Sequence, residues 1–313
     1  MSATRSRPRL KTILAYLMVL ASLGYFAYVL HESAADIPAI DWNKVSVSSF
    51  LFSCLGTVYT IFATGVMWKI LLNDHHDKTS VYKVIQVLAI SQIGKYLPGN
   101  IGQFVGRVGL AKQAGISYGA SAGTILVETL WNLAICAGLA LSALVFFMET
   151  AEGDPLLTLD PLHLGGAFVV LLVAPWIGIH LLNRFFPALS CKLSAGQLMA
   201  QPSWRSATAA VLIYATNFLV LGSILNLHSH GIFELRHADS TAMALMFSAA
   251  WIVGYVMPGA PGGLGVREAM IVLLLTPLVG PGAAIGLSVT TRLASIIGDG
   301  IAFALGLFSK RYL

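Results

Sequence analysis

The chain has 313 residues, of which 57% are hydrophobic and only 11% charged, with a net charge of +5 at neutral pH. Soluble domains carry about 25% charged residues. With a mean hydropathy of +0.78, the composition excludes a soluble enzyme, a disordered tail, a coiled coil and a disulfide-stapled secreted scaffold, and it predicts an all-α polytopic membrane protein.

In chain order, Arg5, Arg7, Arg9 and Lys11 precede the apolar run 11–30, which is longer than a cleavable signal core and is expected to be a retained first span. The runs 47–72, 119–149, 163–183, 205–228 and 282–309 are also long enough to cross. Two more apolar stretches, 81–114 and 240–276, are broken near their middles, the first by Pro98-Gly99, the second by Pro258-Gly259 and Pro261-Gly262-Gly263. Such a break frees backbone polar groups that lipid cannot satisfy, so each stretch is expected to be a re-entrant hairpin of two half-helices. The reading is therefore about six full transmembrane helices and two broken hairpins. Placing both termini in the cytoplasm sorts most lysines and arginines to that side, as the positive-inside rule requires.

The broken segments align without gaps at an offset of 160 residues. Pro98, Gly99, Gly102 and Arg107 match Pro258, Gly259, Gly262 and Arg267, and Gly94 matches Gly254. The expected organisation is one membrane domain over 1–313. The first span, 11–30, is followed by repeat A (47–149, with hairpin 81–114), a connecting span (163–183) and repeat B (205–309, with hairpin 240–276). Three crossings separate the hairpins, which makes the copies an inverted-topology repeat of the kind that builds alternating access.

Charge inside a membrane is costly and marks either a pathway or a pair. Lys95, Asn100, Gln103, Arg107, Arg267 and Arg292 are the candidate donors to a lipid phosphate or head group, since an arginine fork suits phosphate. Glu128, Glu268 and Asp299, together with Asn132, are candidate charge partners or proton carriers. Thr124, Glu128 and Asn132 share one helical face, as do Arg292 and Asp299. Counting Lys112, five basic residues face three acids, a surplus of two. Glu128 is expected to neutralise a hairpin arginine and Glu268 or Asp299 to pair with Arg292, leaving Lys95, Arg107 or Arg267 for an anionic ligand. The alternative, that such pairs only hold helices together, stands beside it.

Other signals are bland. His75, His76, His228, His230 and His237 fall at the edge of or beyond the predicted spans and are expected to be solvated loop residues rather than a metal site. No cofactor, catalytic constellation or nucleic-acid motif is expected, and the basic loops are expected to meet anionic lipid at the cytoplasmic face.

The run Pro261-Gly262-Gly263-Leu264-Gly265-Val266-Arg267-Glu268 resembles the signature of the lysylphosphatidylglycerol synthase transmembrane (flippase-like) family. Gly106-Arg107-Val108-Gly109, the Glu128-centred span and the Thr291-Arg292 span add to the resemblance, which covers roughly 11–309. In bifunctional members a soluble domain aminoacylates phosphatidylglycerol. Here the chain stops at Leu313, so a stand-alone membrane domain without synthase activity is expected. The resemblance implies a flippase of the bacterial cytoplasmic membrane, moving an anionic lipid or a polyprenyl-phosphate-linked sugar through a positive mid-membrane niche. The rival expectations are an intramembrane lipid-modifying transferase and a non-catalytic partner of a membrane glycosyltransferase.

Overall fold

The computed structural model describes residues 37–97, 101–150, 161–235, 239–257 and 260–310, together with Gly24, Ala27, Tyr28 and His31. The expected first span 11–30 and the break residues Pro98, Gly99, Asn100, Pro258 and Gly259 lie outside the described residues. Helix α1 (Lys44–Asp74) leads into a first hairpin made of α2 (Val81–Ser91), a 3-10 turn (Gln92–Tyr96) and α3 (Gly102–Gln113). Then come α4 (Tyr118–Thr150), α5 (Pro161–Phe185), the short α6 (Pro187–Leu193) and α7 (Trp204–Gly231). The second hairpin is α8 (Ser240–Val256), a 3-10 turn (Pro261–Gly263) and α9 (Val266–Val279), and α10 (Pro281–Lys310) closes the order.

Among the described residues, six segments are long and apolar enough to cross a membrane. Five fall on the expected spans, in α1, α4, α5, α7 and α10. The sixth, Pro261–Val279, lies in the return limb of the second hairpin. This is a multi-pass, all-helical membrane architecture.

Local chemistry sets where these helices begin. The Asn43 side chain accepts hydrogen bonds from the backbone N–H groups of Val45 (2.8 Å) and Ser46 (3.1 Å), capping α1. Ser203 caps α7 and Asp239 caps α8 in the same way. Inside α1, the hydroxyls of Ser53, Thr57 and Thr64 donate to backbone carbonyls of the preceding turn, so small polar residues are satisfied without leaving the helix.

Each broken segment folds back on itself where glycines let two backbones touch. A Cβ added to Gly94 would lie 2.7 Å from the Gly102 carbonyl carbon, and one added to Gly263 would lie 3.2 Å from the Gly254 carbonyl oxygen. Helix α1 packs on α7, α4 packs on α8, and α10 packs on α2. Apolar cores fill the joints, one around Trp131, Tyr214 and Phe218, another around Met243, Phe247 and Leu275. Helix α5 is peripheral: only 11% of its apolar window is buried.

One histidine departs from expectation. His228 belongs to α7, which runs on to Gly231, and it is fully buried rather than solvated. Its Nδ1 lies 3.1 Å from the Thr290 hydroxyl and its ring stacks on Phe50. The helix simply continues past the point where the apolar run ends, and hydroxyls of α10 take up the polar ring.

Candidate functional site

The two hairpin tips meet. Gly262 adopts φ 58°, a left-handed conformation that glycine tolerates at no steric cost. A Cβ at Gly262 would sit 3.4 Å from Arg292 Nη2 and 3.6 Å from the Lys95 carbonyl. Beside this junction lies a cavity of about 170 Å³, lined from both hairpins and from α1, α4, α7, α8 and α10.

Of the predicted residues, Lys95, Gln103, Arg107, Arg267, Glu128, Asn132, Asp299, Gly262 and Gly263 line this cavity. Arg292 and Glu268 line a small adjoining pocket that shares Arg267 and Ser295 with it. Gly102 opens α3 and Pro261 opens the second 3-10 turn, and Asn100 is outside the described residues. Lys112 is exposed at the end of α3, with its ammonium 4.7 Å from the Tyr118 ring centre. It therefore leaves the cavity's charge balance, and the expected surplus of two becomes one.

Pairing settles which cation is left. Arg107, on α3, grips Glu128 of α4 through two parallel bonds, Nη1 to Oε1 at 2.9 Å and Nη2 to Oε2 at 2.5 Å. Its guanidinium also lies 3.8 Å from the Trp68 ring centre, and Trp68 is fixed by donating from Nε1 to Thr124 at 2.8 Å. Lys95 Nζ lies 2.7 Å from Asp299, whose carboxylate also accepts from the Tyr96 hydroxyl. Arg292 donates to the Gly262 carbonyl at 3.0 Å, and its Nε stands 3.3 Å from Glu268, close enough for an ion pair though not aligned for a hydrogen bond. Glu268 also accepts from the Gly265 N–H at 2.7 Å, closing the first turn of α9.

Arg267 is different. Among the described residues no carboxylate comes within ion-pair distance of it, and its Nε has no hydrogen-bond partner. It stands in the first turn of α9, where the helix dipole favours an anion, and packs against the bare backbone of Gly254. Among the described residues three acids thus hold three of the four cations, and one part-buried guanidinium remains.

Several cavity residues carry no charge and escaped charge-based reading. Thr57, Thr60 and Thr64 line the cavity from α1, and Asn217 lines it from α7. Their signal was present in the sequence: three threonines at i, i+3 and i+7 share a face, and Asn217 is an isolated amide in an apolar span.

The sequence model of the lysylphosphatidylglycerol synthase TM region matches residues 13–302. The chain belongs to that family. The match includes both hairpins and all the charged residues of the cavity, and it ties the protein to membrane lipid. No curated protein gives a match. Within that match the glycine-rich run Pro261–Glu268 supplies the left-handed tip, Arg267 and the capping Glu268 within a few residues.

Proposed function

We propose that the protein is a lipid translocase of the bacterial cytoplasmic membrane, carrying an anionic head group through the cavity between its hairpins. The observation that carries this reading is Arg267, a part-buried cation beside a polar cavity, with a buried Nε and, among the described residues, no carboxylate partner. A guanidinium in a low-dielectric site is costly to leave unpaired, and a lipid phosphate supplies the missing charge while its tails stay in the bilayer.

The packing supports an inverted repeat behind this function. Helix α1 meets its counterpart α7, and each repeat's final helix packs on the other repeat's hairpin, α4 on α8 and α10 on α2. The short outbound limb of the second hairpin also supports return without crossing. With 17 residues, the outbound limb α8 reaches about 25 Å at 1.5 Å per residue, short of the roughly 30 Å hydrocarbon core. In this reading the termini face the cytoplasm and the two hairpins open the site to alternate sides.

Translocation is favoured over group transfer because, among the described residues, each acid at the cavity is engaged by a cation, which leaves no unpaired carboxylate to serve as a base beside the cationic site. Reconstitution into liposomes with labelled anionic lipids tests the proposal. Protein-dependent transbilayer movement that Arg267→Gln strongly lowers is expected; movement indistinguishable from empty liposomes, for all the lipids, contradicts it.

A further inference from the structure

One wall of the cavity is aromatic and amide rather than charged. Phe247, Trp251 and Tyr255 follow one another at four-residue intervals along α8, and all three line the cavity. The Trp251 and Tyr255 rings stack at 4.7 Å, and Phe218 of α7 meets Trp251 edge-on at 5.2 Å. Next to Phe218 on α7 is Asn217, only 6% exposed. Its amide donates to Thr64 at 3.1 Å, but its Oδ1 accepts no hydrogen bond.

These features constrain the cargo. A buried carbonyl oxygen without a donor costs about 1–3 kcal/mol, so it calls for a hydroxyl or an ammonium from the ligand. An ammonium fits poorly, because the carboxylates are already paired and the cavity's balance is one positive charge. A diphosphate fits poorly too, since it brings more negative charge than the single surplus guanidinium neutralises. Aromatic faces beside amide and hydroxyl groups suit the C–H face and hydroxyl rim of a neutral polyol.

We propose that the cavity selects a singly charged phosphodiester lipid whose head group is neutral and rich in hydroxyls. The phosphate sits on Arg267, the polyol lies against Trp251 and Phe218, and a hydroxyl donates to Asn217. This assignment rests on the translocase reading for how the head group reaches the cavity. A glycosyl phosphate on a polyprenyl chain and phosphatidylglycerol share this chemistry; lysylphosphatidylglycerol, whose lysyl group makes the head group cationic, does not.

Native mass spectrometry of the full chain in detergent, titrated with four lipids, tests it. The lipids are a polyprenyl-phosphate hexose, phosphatidylglycerol, lysylphosphatidylglycerol and a polyprenyl diphosphate. At least one of the first two is expected to bind about 10-fold or more tightly than either of the others, a difference of about 1.4 kcal/mol. Equal or tighter binding of the lysyl lipid or the diphosphate overturns the assignment. Asn217→Asp keeps the acceptor and adds a negative charge, so it is expected to shift preference toward the lysyl lipid; an unchanged order of affinities removes Asn217 from the site. Trp251→Leu gives an independent readout, with hexose-lipid affinity expected to fall about 5-fold and an unchanged affinity counting against the aromatic wall. Transbilayer movement of the same lipids separates the two claims. A hexose lipid that binds with the stated preference but is not moved sinks the translocase reading alone, whereas lysylphosphatidylglycerol moved as the preferred cargo sinks the head-group assignment alone.

Discussion

Arg107 and Arg267 occupy the same place in two copies of one motif, and the structure treats them in opposite ways. Arg107 is 4% exposed, gripped at both ends of its fork by Glu128 and stacked on Trp68. Arg267 packs instead against the backbone of Gly254 and has no carboxylate within reach among the described residues. The repeated motif supplies two cations; the surrounding helices turn one into a joint and leave the other without a carboxylate partner among the described residues, the proposed receptor. The position equivalent to Glu128, offset by the same 160 residues, is Ser288, whose hydroxyl bonds the Glu268 carbonyl rather than a guanidinium. An acid beside one arginine and a hydroxyl in its place in the other copy is the simplest statement of the asymmetry.

Mutation can break this comparison at several points. The largest effect is expected from Arg107→Ala, which leaves Glu128 buried and unpaired and costs about 3–5 kcal/mol by the usual cost of orphaning a buried charge. Thermal unfolding in detergent would show it as loss of folded protein, and the addition of Glu128→Gln is expected to recover much of the loss. Arg267→Gln, by contrast, is expected to keep its melting temperature and to lower transport about 10- to 100-fold, as the loss of a charge-assisted contact of about 1.5–3 kcal/mol implies. A transport rate near that of the unaltered protein would mean the surplus cation is not the receptor.

Backbone contacts offer a milder test. A methyl at Gly94 would lie 2.8 Å from the Gln103 backbone nitrogen, so Gly94→Ala is expected to cost about 1–3 kcal/mol through overpacking. At the equivalent Gly254 the nearest neighbour is the Arg267 Cβ at 3.1 Å. Gly254→Ala is therefore expected to disturb stability less than Gly94→Ala and to lower transport by displacing Arg267, which paired melting and transport measurements would resolve. The smallest effect concerns the tip pair. Replacing both partners, Lys95→Met with Asp299→Asn, is expected to change stability by less than about 1 kcal/mol, while Asp299→Asn alone costs more because Lys95 is then left part-buried and unpaired beside Arg292 and Arg267.

How much of this could be read beforehand depended on whether the information was local. The PGxxGxxxxR repeat is a local pattern, as is the seven-residue spacing of Arg292 and Asp299, and both residues do converge on Tyr96. The choice of partners is not local. Lys95 and Asp299 are joined only because α10 packs against the first hairpin. Glu268 could have served either Arg267 beside it or Arg292, and the start of α9 turns it toward Arg292 and the Gly265 N–H. His228 was misplaced because hydropathy falls before the helix ends, and burial there comes from Phe50 and the α10 hydroxyls. Thr57, Thr60, Thr64 and Asn217 were overlooked because a search for charge passes over neutral donors, although their spacing marks a cavity face.

The central claim is that the two arginines differ in kind, and one measurement addresses it directly. Transbilayer movement of a labelled anionic lipid is compared in liposomes carrying equal amounts of folded Arg267→Met and of the isosteric pair variant Arg107→Met with Glu128→Gln. The pair variant removes a cation and an anion together and is expected to stay within about 3-fold of the unaltered protein, because replacing a whole buried pair is often close to neutral. Arg267→Met is expected to fall at least about 10-fold. Loss of transport in the pair variant with retention in Arg267→Met would place the receptor at the first hairpin and contradict the account.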